Sequence, residues 1–281
     1  EISACLVGSE MCIRDSRLME LVDKLSNRQY IDGEWVESSN KNTRDIINPY
    51  NQETIFTVAE GTKEDVERAI LAARRSFEDG EWSLETSEVR GKKVRAVADK
   101  IKENREELAK LETLDTGKTL EESYADMDDI HNVFMYFAGL ADKDGGEIIN
   151  SPIPNAESKV VKEPVGVVTQ ITPWNYPLLQ ASWKIAPALA TGCSLVMKPS
   201  EITPLTTIRV FELMEEVGFP KGTINLVLGA GSEVGDVMSG HEEVDLVSFT
   251  GGIETGKHIM KQAANHVTDV ALELGLSLIH I

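Results

Sequence analysis

Short apolar segments alternate with helix-length segments along the second half of the chain, and this alternation constrains the fold most strongly. It is the pattern of a parallel sheet whose strands are joined by helices. We therefore predict an α/β fold with a doubly wound, Rossmann-like parallel sheet. The predicted strands are 165–171, 194–197, 224–228, 244–249 and 267–272, and the predicted helices between them are 178–189, 204–217, 233–238 and 255–264.

The first part of the chain predicts N-terminal hairpins. Asp32-Gly33 lies between two strand-like segments, and this residue pair is preferred in two-residue hairpin turns. Segments 46–49 and 54–58 predict a second strand pair around a polar turn. We therefore expect short antiparallel elements before the parallel sheet.

Helical patterns follow these hairpins. Thr62 can cap the first turn of a helix together with Asp65, which lies three residues further on. Further helices are predicted at 89–101, 108–114 and 130–140. We interpret the acidic segment 126–129 as the first turn of the last of these helices, where the helix dipole favours negative charge. A calcium loop is the alternative, but the glycine and terminal glutamate that it needs are missing.

The two ends of the chain do not fit this pattern. Residues 1–16 contain two of the three cysteines without any periodicity, and 276–281 follow the last strand abruptly. We interpret both as non-native tails and 17–275 as the folded part, because a signal peptide would need an apolar core and a cleavage site. Cys193 is then the single cysteine, so no internal disulfide can form, which favours a reducing, cytoplasmic location.

Composition excludes two classes of partner. The formal net charge is −19 at pH 7, whereas nucleic-acid phosphates need clustered Lys and Arg. The chain also lacks the roughly 18 uninterrupted apolar residues that a membrane span needs. We therefore expect no nucleic-acid partner and no membrane partner.

Polar residues stand where two of the predicted strands end. Thr172 and Asn175 follow the first strand, and Lys198 and Glu201 follow the second. Because the carboxyl ends of parallel strands meet at the same edge of a sheet, ligands bind there. The sequence therefore predicts a small-molecule site at this edge.

Two glycine-rich segments follow later strands. Segment 229–235 loosely resembles a dinucleotide-binding fingerprint, although a simple turn explains it equally well. Segment 251–257 matches a P-loop, but His258 stands where a Ser or Thr should bind magnesium, which argues against a nucleotide triphosphatase. A glycine turn before a helix is still favourable for a cofactor diphosphate, because the amides and the helix dipole attract negative charge.

Four motifs together resemble a known family, the NAD-dependent aldehyde dehydrogenases, over about residues 27–275. The motifs are Trp174-Asn-Tyr-Pro177, Lys198-Pro-Ser-Glu201, Ser248-Phe-Thr-Gly-Gly252 and Glu273-Leu-Gly275. The resemblance implies a truncated aldehyde dehydrogenase fold, with the NAD-binding part present and the catalytic domain absent. It further implies NAD as cofactor, a small aldehyde substrate and a homo-oligomer with an oligomerisation arm at about 145–163. A monovalent cation such as K⁺ is implied near Ile47 and Asp115.

The resemblance also assigns cofactor-binding residues. Lys198 and Glu201 would bind the adenosine ribose of the cofactor. The Glu201 carboxylate would repel a 2′-phosphate and so favour NAD over NADP, while Lys198 could weaken that preference. The complete predicted set is Ile171, Thr172, Pro173, Trp174, Lys198, Ser200, Glu201, Gly231, Gly235, Phe249, Thr250, Gly251, Gly252 and Thr255.

The catalytic residues implied by the resemblance are Asn175, Lys198 and Glu273. Asn175 would donate to the oxyanion that develops on the aldehyde, with a turn asparagine as the alternative interpretation. Glu273, which we expect to be buried at the end of an apolar strand, would be the general base, with a simple terminal charge as the alternative. Cys193 is not assigned as nucleophile, because a buried cysteine usually behaves as a small apolar side chain. The family nucleophile lies downstream of Glu273, so we expect the chain itself to be inactive.

Tyr176 and Trp183 are the predicted substrate-binding residues. They lie seven positions apart on one predicted helix, share nearly one face, and could hold a trimethylammonium group by cation–π attraction. Core packing is the alternative. Segment 180–184 is most similar to family members that oxidise betaine aldehyde to glycine betaine, an osmolyte, so we predict that reaction. Oxidation of an aminoaldehyde and a non-catalytic NAD-binding module are the alternative functions, and no side chain is assigned as a metal ligand.

Overall fold

The computed structural model describes residues 20, 22–143 and 145–275. The tails predicted at 1–16 and 276–281 therefore lie outside the described residues. The described ranges fold around a central β-sheet with helices on both faces. None of the helices in these ranges is both long enough and apolar enough to cross a membrane.

The largest sheet among the described residues combines parallel strands with an N-terminal hairpin. The parallel strands are β7 (Val167–Ile171), β8 (Ser194–Lys198), β9 (Ile224–Leu226), β10 (Leu246–Thr250) and β11 (Asp269–Glu273), and the hairpin strands are β1 (Gln29–Ile31) and β2 (Glu34–Val36). The order is β11-β10-β7-β8-β9-β1-β2, so the parallel sheet extends from β7 in both directions. This order confirms the predicted doubly wound α/β fold and places a topological switch point between β7 and β10.

The helices connect these strands and also form most of the first half of the chain. They are α1 (Lys63–Asp79), α2 (Ser87–Glu103), α3 (Arg105–Thr116), α4 (Leu120–Leu140), α5 (Pro177–Thr191), α6 (Leu205–Val217), α7 (Asp236–Gly240) and α8 (Ile253–Ala263). The helix predicted at 233–238 is divided into a π-turn, Gly231–Gly235, and the short helix α7. The other crossover helices, α5, α6 and α8, confirm their predictions.

Alternate residues of the central strands pack on opposite faces of the sheet. Val168 and Leu195 belong to an apolar cluster with helices α2 to α6, whereas Val167 and Val196 belong to a second cluster with α1, α7 and α8. Every residue of β7 and β8 is buried. Both faces of these strands are covered, which explains why they are continuous apolar segments in the sequence.

The N-terminal hairpin extends the parallel sheet at one edge. β1 and β2 pair in antiparallel fashion around Asp32 (φ 55°) and Gly33 (φ 80°), which confirms the predicted turn. β1 then pairs with β9, with Tyr30 opposite Leu226. This contact joins the start of the chain to the parallel sheet, and the sequence alone did not indicate it.

Two further predictions for the first part of the chain are confirmed. Strands β3 (Thr43–Ile47) and β4 (Thr54–Ala59) form an antiparallel pair in a sheet of their own. Thr62 and Asp65 form a capping box at the start of α1: the Thr62 hydroxyl accepts from the Asp65 amide, and the Asp65 carboxylate accepts from the Thr62 amide. The first turn of α1 is therefore satisfied by side chains.

Helix α4 corrects one prediction. It begins after the Thr119 cap, ten residues before the predicted start, so the acidic segment 126–129 lies inside the helix and is not its first turn. Cations from outside α4 stabilise these carboxylates: Lys118 Nζ lies 2.6 Å from Asp126 Oδ2, and Arg105 Nε lies 2.5 Å from Asp128 Oδ1. The prediction from the helix dipole was wrong, because the positive charges that compensate these carboxylates come from residues outside the helix.

An exposed ribbon precedes the parallel sheet. Strands β5 (Glu147–Ile149) and β6 (Ser158–Val160) pair only with each other among the described residues, and all their residues are exposed. Ile148 is 83% exposed. Exposed apolar strands of this kind are typical of surfaces that another chain covers. The assignment of 145–163 as an oligomerisation arm stays a prediction.

We expect Gly61→Ala to destabilise the fold, whereas Gly139→Ala should not. A Cβ on Gly61 would lie 2.2 Å from the Leu228 carbonyl oxygen and 2.4 Å from Gln29 Oε1, so the backbone must shift. We expect this to lower the free energy of unfolding by about 2–4 kcal/mol. A Cβ on Gly139, inside α4, would meet nothing within 4 Å and should raise it by about 0.5–1 kcal/mol. Urea unfolding of both variants tests the contrast, and equal effects would contradict it.

Candidate functional site

A cavity of about 660 Å³ lies at the carboxyl ends of the parallel strands. It is bounded by residues that end β7 and β10, by the turn after β8, and by the segment that follows β9. Residues of the predicted cofactor-binding set that line it are Ile171, Glu201, Gly231, Gly235, Phe249 and Thr255. The structure therefore brings together residues that are up to 84 positions apart in the sequence (255 − 171).

Lys198 and Glu201 form a buried pair at this edge. The Lys198 ammonium, 3% exposed, donates to the Pro199 carbonyl at 2.9 Å and to Glu201 Oε2 at 3.3 Å. Burial lowers the pKa of Lys198, and the Glu201 charge opposes this effect. Burial alone would raise the pKa of Glu201, but the Lys198 charge and backbone and side-chain hydrogen bonds outweigh it and lower that pKa. The Glu201 side chain, 35% exposed, thus presents a carboxylate to the cavity.

Glycines leave room for a ligand around the cavity. A Cβ on Gly231, Gly235 or Gly252 would meet no atom within 4 Å. Gly252 is also the N-cap of α8, so no side chain caps the first backbone amides of this helix. Gly251 instead allows close packing of Phe249: a Cβ added at this position would lie 2.3 Å from the Phe249 ring.

Buried polar atoms without partners mark the same edge. Thr172 Oγ1, Thr250 Oγ1 and Asn175 Oδ1 are buried and have no hydrogen-bond partner among the described residues. Buried polar groups in native proteins are nearly always hydrogen-bonded, so these three atoms are exceptions at the edge where the cavity lies. The open glycines and the Glu201 carboxylate, which lie in the cavity wall, fit a dinucleotide.

The remaining predicted cofactor-binding residues lie beside the cavity rather than in its wall. Trp174 is 43% exposed, and its carbonyl accepts from Thr203 Oγ1 at 3.4 Å. Ser200 is buried, and its carbonyl accepts from the Thr203 amide at 3.3 Å. Pro173 is partly exposed. The contacts assigned to these three residues with the cofactor stay predictions.

Several lining residues were not predicted from the sequence. They are Ala230, Ser232, Asp236, Ser239, Glu254, His258 and Ile259. His258 Nε2 lies 2.8 Å from Asp236 Oδ1 and so connects α8 to α7 across the cavity wall. The spacing of His258 one turn after Glu254 in α8 could have indicated a shared helix face, but Asp236 joins them only through the fold.

The P-loop interpretation is not supported by the geometry. Only two residues separate the end of β10 at Thr250 from the start of helix α8 at Ile253, so the glycines do not form a long phosphate-binding loop. Lys257 lies inside α8, is 58% exposed, and pairs with Glu254 at 2.7 Å. A lysine in this position is a surface residue of the helix.

Asn175 is available for chemistry. It lies between the end of β7 and the start of α5, and its side-chain amide makes no hydrogen bond within the described residues. A turn asparagine would bond to nearby backbone groups, which this side chain does not do. The absence of such bonds argues against the turn interpretation, and the oxyanion-hole role stays a prediction.

Glu273 is exposed, so the prediction of a buried carboxylate is wrong. It ends β11, which forms the edge of the sheet and pairs only with β10 among the described strands. With one neighbour instead of two, the end of this strand remains open to solvent. Its role as general base stays a prediction.

Lys184 is a buried cation that sequence analysis missed. Its ammonium donates to Ser248 Oγ at 3.1 Å, and the residue is 7% exposed. Burial lowers the pKa of Lys184 to about 8, and the charge of Glu273 opposes this shift. A lysine within the apolar pattern of α5 was the available signal. The Lys184 amine, with its lowered pKa, thus experiences the charge of Glu273, the predicted base.

Tyr176 and Trp183 do not lie on one helix as predicted. Tyr176 is the N-cap of α5, so only Trp183 is inside the helix. The Lys118 ammonium lies 4.1 Å from the centre of the Tyr176 ring, and the Tyr176 hydroxyl donates to Glu122 Oε1 at 2.9 Å. One face of the tyrosine ring is therefore occupied by a cation of the chain.

Trp183 is 49% exposed and lines a second cavity of about 520 Å³. Asp129 of α4 lines the same cavity. The exposure of Trp183 argues against the alternative that it packs in the core. An exposed indole beside a carboxylate is suited to a cationic group.

The predicted cation site near Ile47 and Asp115 stays a prediction. Asp115 Oδ2 accepts from the Leu205 amide at 2.9 Å, while its buried Oδ1 has no partner among the described residues. Burial raises the pKa of Asp115 well above its usual value. Within the described ranges, no cluster of three or more His, Cys, Asp or Glu could hold a metal ion.

Known proteins match most of the chain. Residues 35–278 match the model of the aldehyde dehydrogenase family. Betaine aldehyde dehydrogenase of Bacillus subtilis (strain 168) is 65% identical over 89% of this chain and 51% of its own length. Peroxisomal aminoaldehyde dehydrogenase 1 of Pisum sativum is 47% identical over 89% of this chain and 51% of its own length.

A solved structure is also similar. The crystal structure of betaine aldehyde dehydrogenase from Staphylococcus aureus in complex with NAD⁺ is 88% identical, with a TM-score of 0.92. The match covers 92% of this chain and 52% of that chain. This chain therefore spans about half the length of the relatives it matches.

Lys184→Met should stabilise the chain at neutral pH, and the gain should vanish in alkaline solution. Because burial lowers the pKa of Lys184 from 10.5 to about 8, the folded state holds this proton less tightly than the unfolded state. The cost of the buried charge is complete below pH 8 and is lost as the pH rises from about 8 to 10.5. We expect a gain of about 1–3 kcal/mol at neutral pH.

Urea unfolding over this pH range measures the difference between the variant and the unchanged chain. Lys257→Met is the control, because Lys257 is exposed and should show no such pH dependence. A constant difference at all pH values for Lys184→Met would contradict the prediction.

Proposed function

Because the chain belongs to the aldehyde dehydrogenase family, we propose that it is the NAD-binding part of an enzyme that oxidises betaine aldehyde to glycine betaine. The family predicted from the four sequence motifs is confirmed by the match over residues 35–278. The activity itself is a proposal, because the chain spans about half of its relatives.

The cavity at the carboxyl ends of the strands carries the proposal. The glycines and the Glu201 carboxylate in its wall fit a dinucleotide. The Staphylococcus aureus relative, 88% identical, was solved with NAD⁺ bound. We infer that NAD⁺ binds here, with Glu201 accepting from the adenosine ribose hydroxyls. A carboxylate at that position disfavours a 2′-phosphate.

The bound cofactor would supply the hydride acceptor. Asn175 would donate from its amide nitrogen to the oxygen that becomes negatively charged when a nucleophile attacks the aldehyde. Glu273, exposed at the strand end, would accept a proton from the water that releases the acid. The nucleophile would be a cysteine in the part of the relatives that this chain does not match. Cys193 is 3% exposed in the core and is unsuited to that role.

Three features support a quaternary ammonium substrate. Trp183 presents an exposed indole, Tyr176 presents a ring whose hydroxyl is fixed by Glu122, and α4 adds the nearby Asp129 carboxylate. A trimethylammonium group can bind aromatic faces without hydrogen bonds. An aminoaldehyde is the alternative substrate, since the Pisum sativum relative is named for that activity.

We further propose a cytoplasmic homo-oligomer. The exposed β5–β6 ribbon offers strand edges and apolar side chains that another subunit would cover. A monovalent cation such as K⁺ would be bound near Ile47 and Asp115, where a buried carboxylate oxygen has no partner within the described ranges.

The proposed activity is tested by expressing the whole protein, including the half that matches the rest of the relatives. NADH formation with betaine aldehyde should exceed that with an aminoaldehyde of similar length. Equal or higher rates with the aminoaldehyde would reassign the substrate. Binding of NAD⁺ without oxidation of any aldehyde would instead support a non-catalytic binding module.

Asn175→Ala in the whole enzyme should lower kcat by about 10²–10³, because one oxyanion donor is lost. NAD⁺ affinity should hardly change. Steady-state kinetics and NAD⁺ titration separate the two quantities. Asn51→Ala is a matched control, because Asn51 lies in the exposed β3–β4 turn. A normal kcat in Asn175→Ala would reject the proposed role.

Trp183→Ala should raise the KM for betaine aldehyde by about 2–30-fold, the range of one cation–π contact. Tyr176→Ala should have a smaller effect, because Lys118 already occupies one face of that ring. The KM for a neutral aldehyde of similar size should change much less. Tyr50→Ala is the control, because Tyr50 is 70% exposed and lies far from Tyr176 and Trp183 in the sequence. Equal changes for charged and neutral substrates would exclude a cation-specific contact.

A further inference from the structure

An ion pair outside the predicted site is hydrogen-bonded to a residue in the wall of the dinucleotide cavity. Arg44 of β3 donates from Nε to Glu60 Oε2 at 2.5 Å and from Nη2 to Glu60 Oε1 at 2.7 Å. Both hydrogen bonds of the guanidinium fork thus go to one carboxylate, which is the geometry in which arginine also binds phosphate.

Backbone contacts place Glu60 at the cavity wall. The amide of Ala230 donates to Glu60 Oε1 at 3.0 Å. Ala230 lines the cavity together with Glu201. The Glu60 carboxylate is therefore one residue away from the cavity, on the side where Glu201 would meet the adenosine ribose.

The ion pair also interacts with the Lys198–Glu201 pair. Hydrogen bonding to Glu60, together with the charges of Glu60 and Glu201, raises the pKa of Arg44. Burial lowers the pKa of Lys198, and the charges of Glu201 and Glu60 oppose that effect. The two pairs therefore influence each other electrostatically, and together they carry two positive and two negative charges.

We propose that Glu60 is a second residue, beside Glu201, that excludes a 2′-phosphorylated dinucleotide, because it adds a negative charge and holds the guanidinium fork of Arg44. This inference rests on the proposed binding of NAD⁺. Without Glu60, Arg44 would be a free guanidinium near the ribose and would attract a phosphate. Glu60 is thus a specificity-determining residue that acts through Arg44.

Stability is the alternative explanation for the pair, because a bidentate arginine–carboxylate pair can contribute to folding. The side chains of Arg44 and Glu60 are 33% and 20% exposed. The additional bond from the Ala230 amide fixes the carboxylate relative to the cavity wall.

Calorimetric titration of the chain with NAD⁺ and with NADP⁺ tests the inference. Glu60→Gln keeps an acceptor for the Ala230 amide but removes the charge, and it should strengthen NADP⁺ binding by about tenfold with little change for NAD⁺. Arg44→Gln leaves the Glu60 charge uncompensated and should weaken NADP⁺ binding. The double variant should lose the gain in NADP⁺ affinity, because the Arg44 guanidinium that would bind the 2′-phosphate is absent.

Glu53→Gln is the matched control, because it removes one negative charge at an exposed position in the β3–β4 turn. Thermal unfolding of each variant checks that the chain remains folded. Unchanged NADP⁺-to-NAD⁺ preference in Glu60→Gln, or an equal change in Glu53→Gln, would overturn the inference while NAD⁺ binding stands. A gain that persists in the double variant would overturn the role of Arg44. Failure of the unchanged chain to bind NAD⁺ would overturn the proposed cofactor site and the inference together.

Discussion

The parallel pairing of β7 with β8 positions everything else in the site. Its register places Ile171 opposite Lys198, and the Thr172 amide donates to the Lys198 carbonyl at 3.1 Å. Both strands are buried along their whole length, so a shift in register would expose apolar side chains on two faces. The segments that begin at Thr172 and at Lys198 consequently leave the sheet side by side. The candidate cofactor site lies at this edge, where the residues that follow β9 and β10 complete its wall.

Charge balance is the second constraint on this edge. Lys198 is almost completely buried, and burying an ammonium group without a partner would be costly. Glu201, together with the Pro199 carbonyl, compensates that charge. Arg44 and Glu60 approach from β3 and the end of β4 and add no net charge. A cofactor with an additional phosphate would disturb this balance, whereas an unmodified ribose would not.

Sequence analysis predicted the positions of some site residues correctly and of others wrongly. The motifs indicated Glu201 and Phe249, and the glycine-rich segment indicated Gly231; all three line the cavity, because each lies at a strand end or in the turn that follows. Glu273 was expected to be buried, but it lies on an edge strand and is exposed. Strand order is a tertiary property, so an apolar segment cannot indicate whether it has one neighbour or two. The contact of Lys118 with the Tyr176 ring was not predictable for the same reason, because it joins residues 58 positions apart (176 − 118).

The sequence by itself determined the alternation of strands and helices, the turn at Asp32-Gly33, the cap at Thr62 and the family resemblance of the four motifs. These features depend on periodicity, backbone conformation and short spacings, which are local properties of the chain. Tertiary structure decided the attachment of β1 to β9, the burial of Lys184 and the contact of Glu60 with Ala230. Each of these joins residues far apart in sequence, so it exists only once the core has packed. Local pattern therefore specified the elements, and long-range packing determined which charges meet at the site.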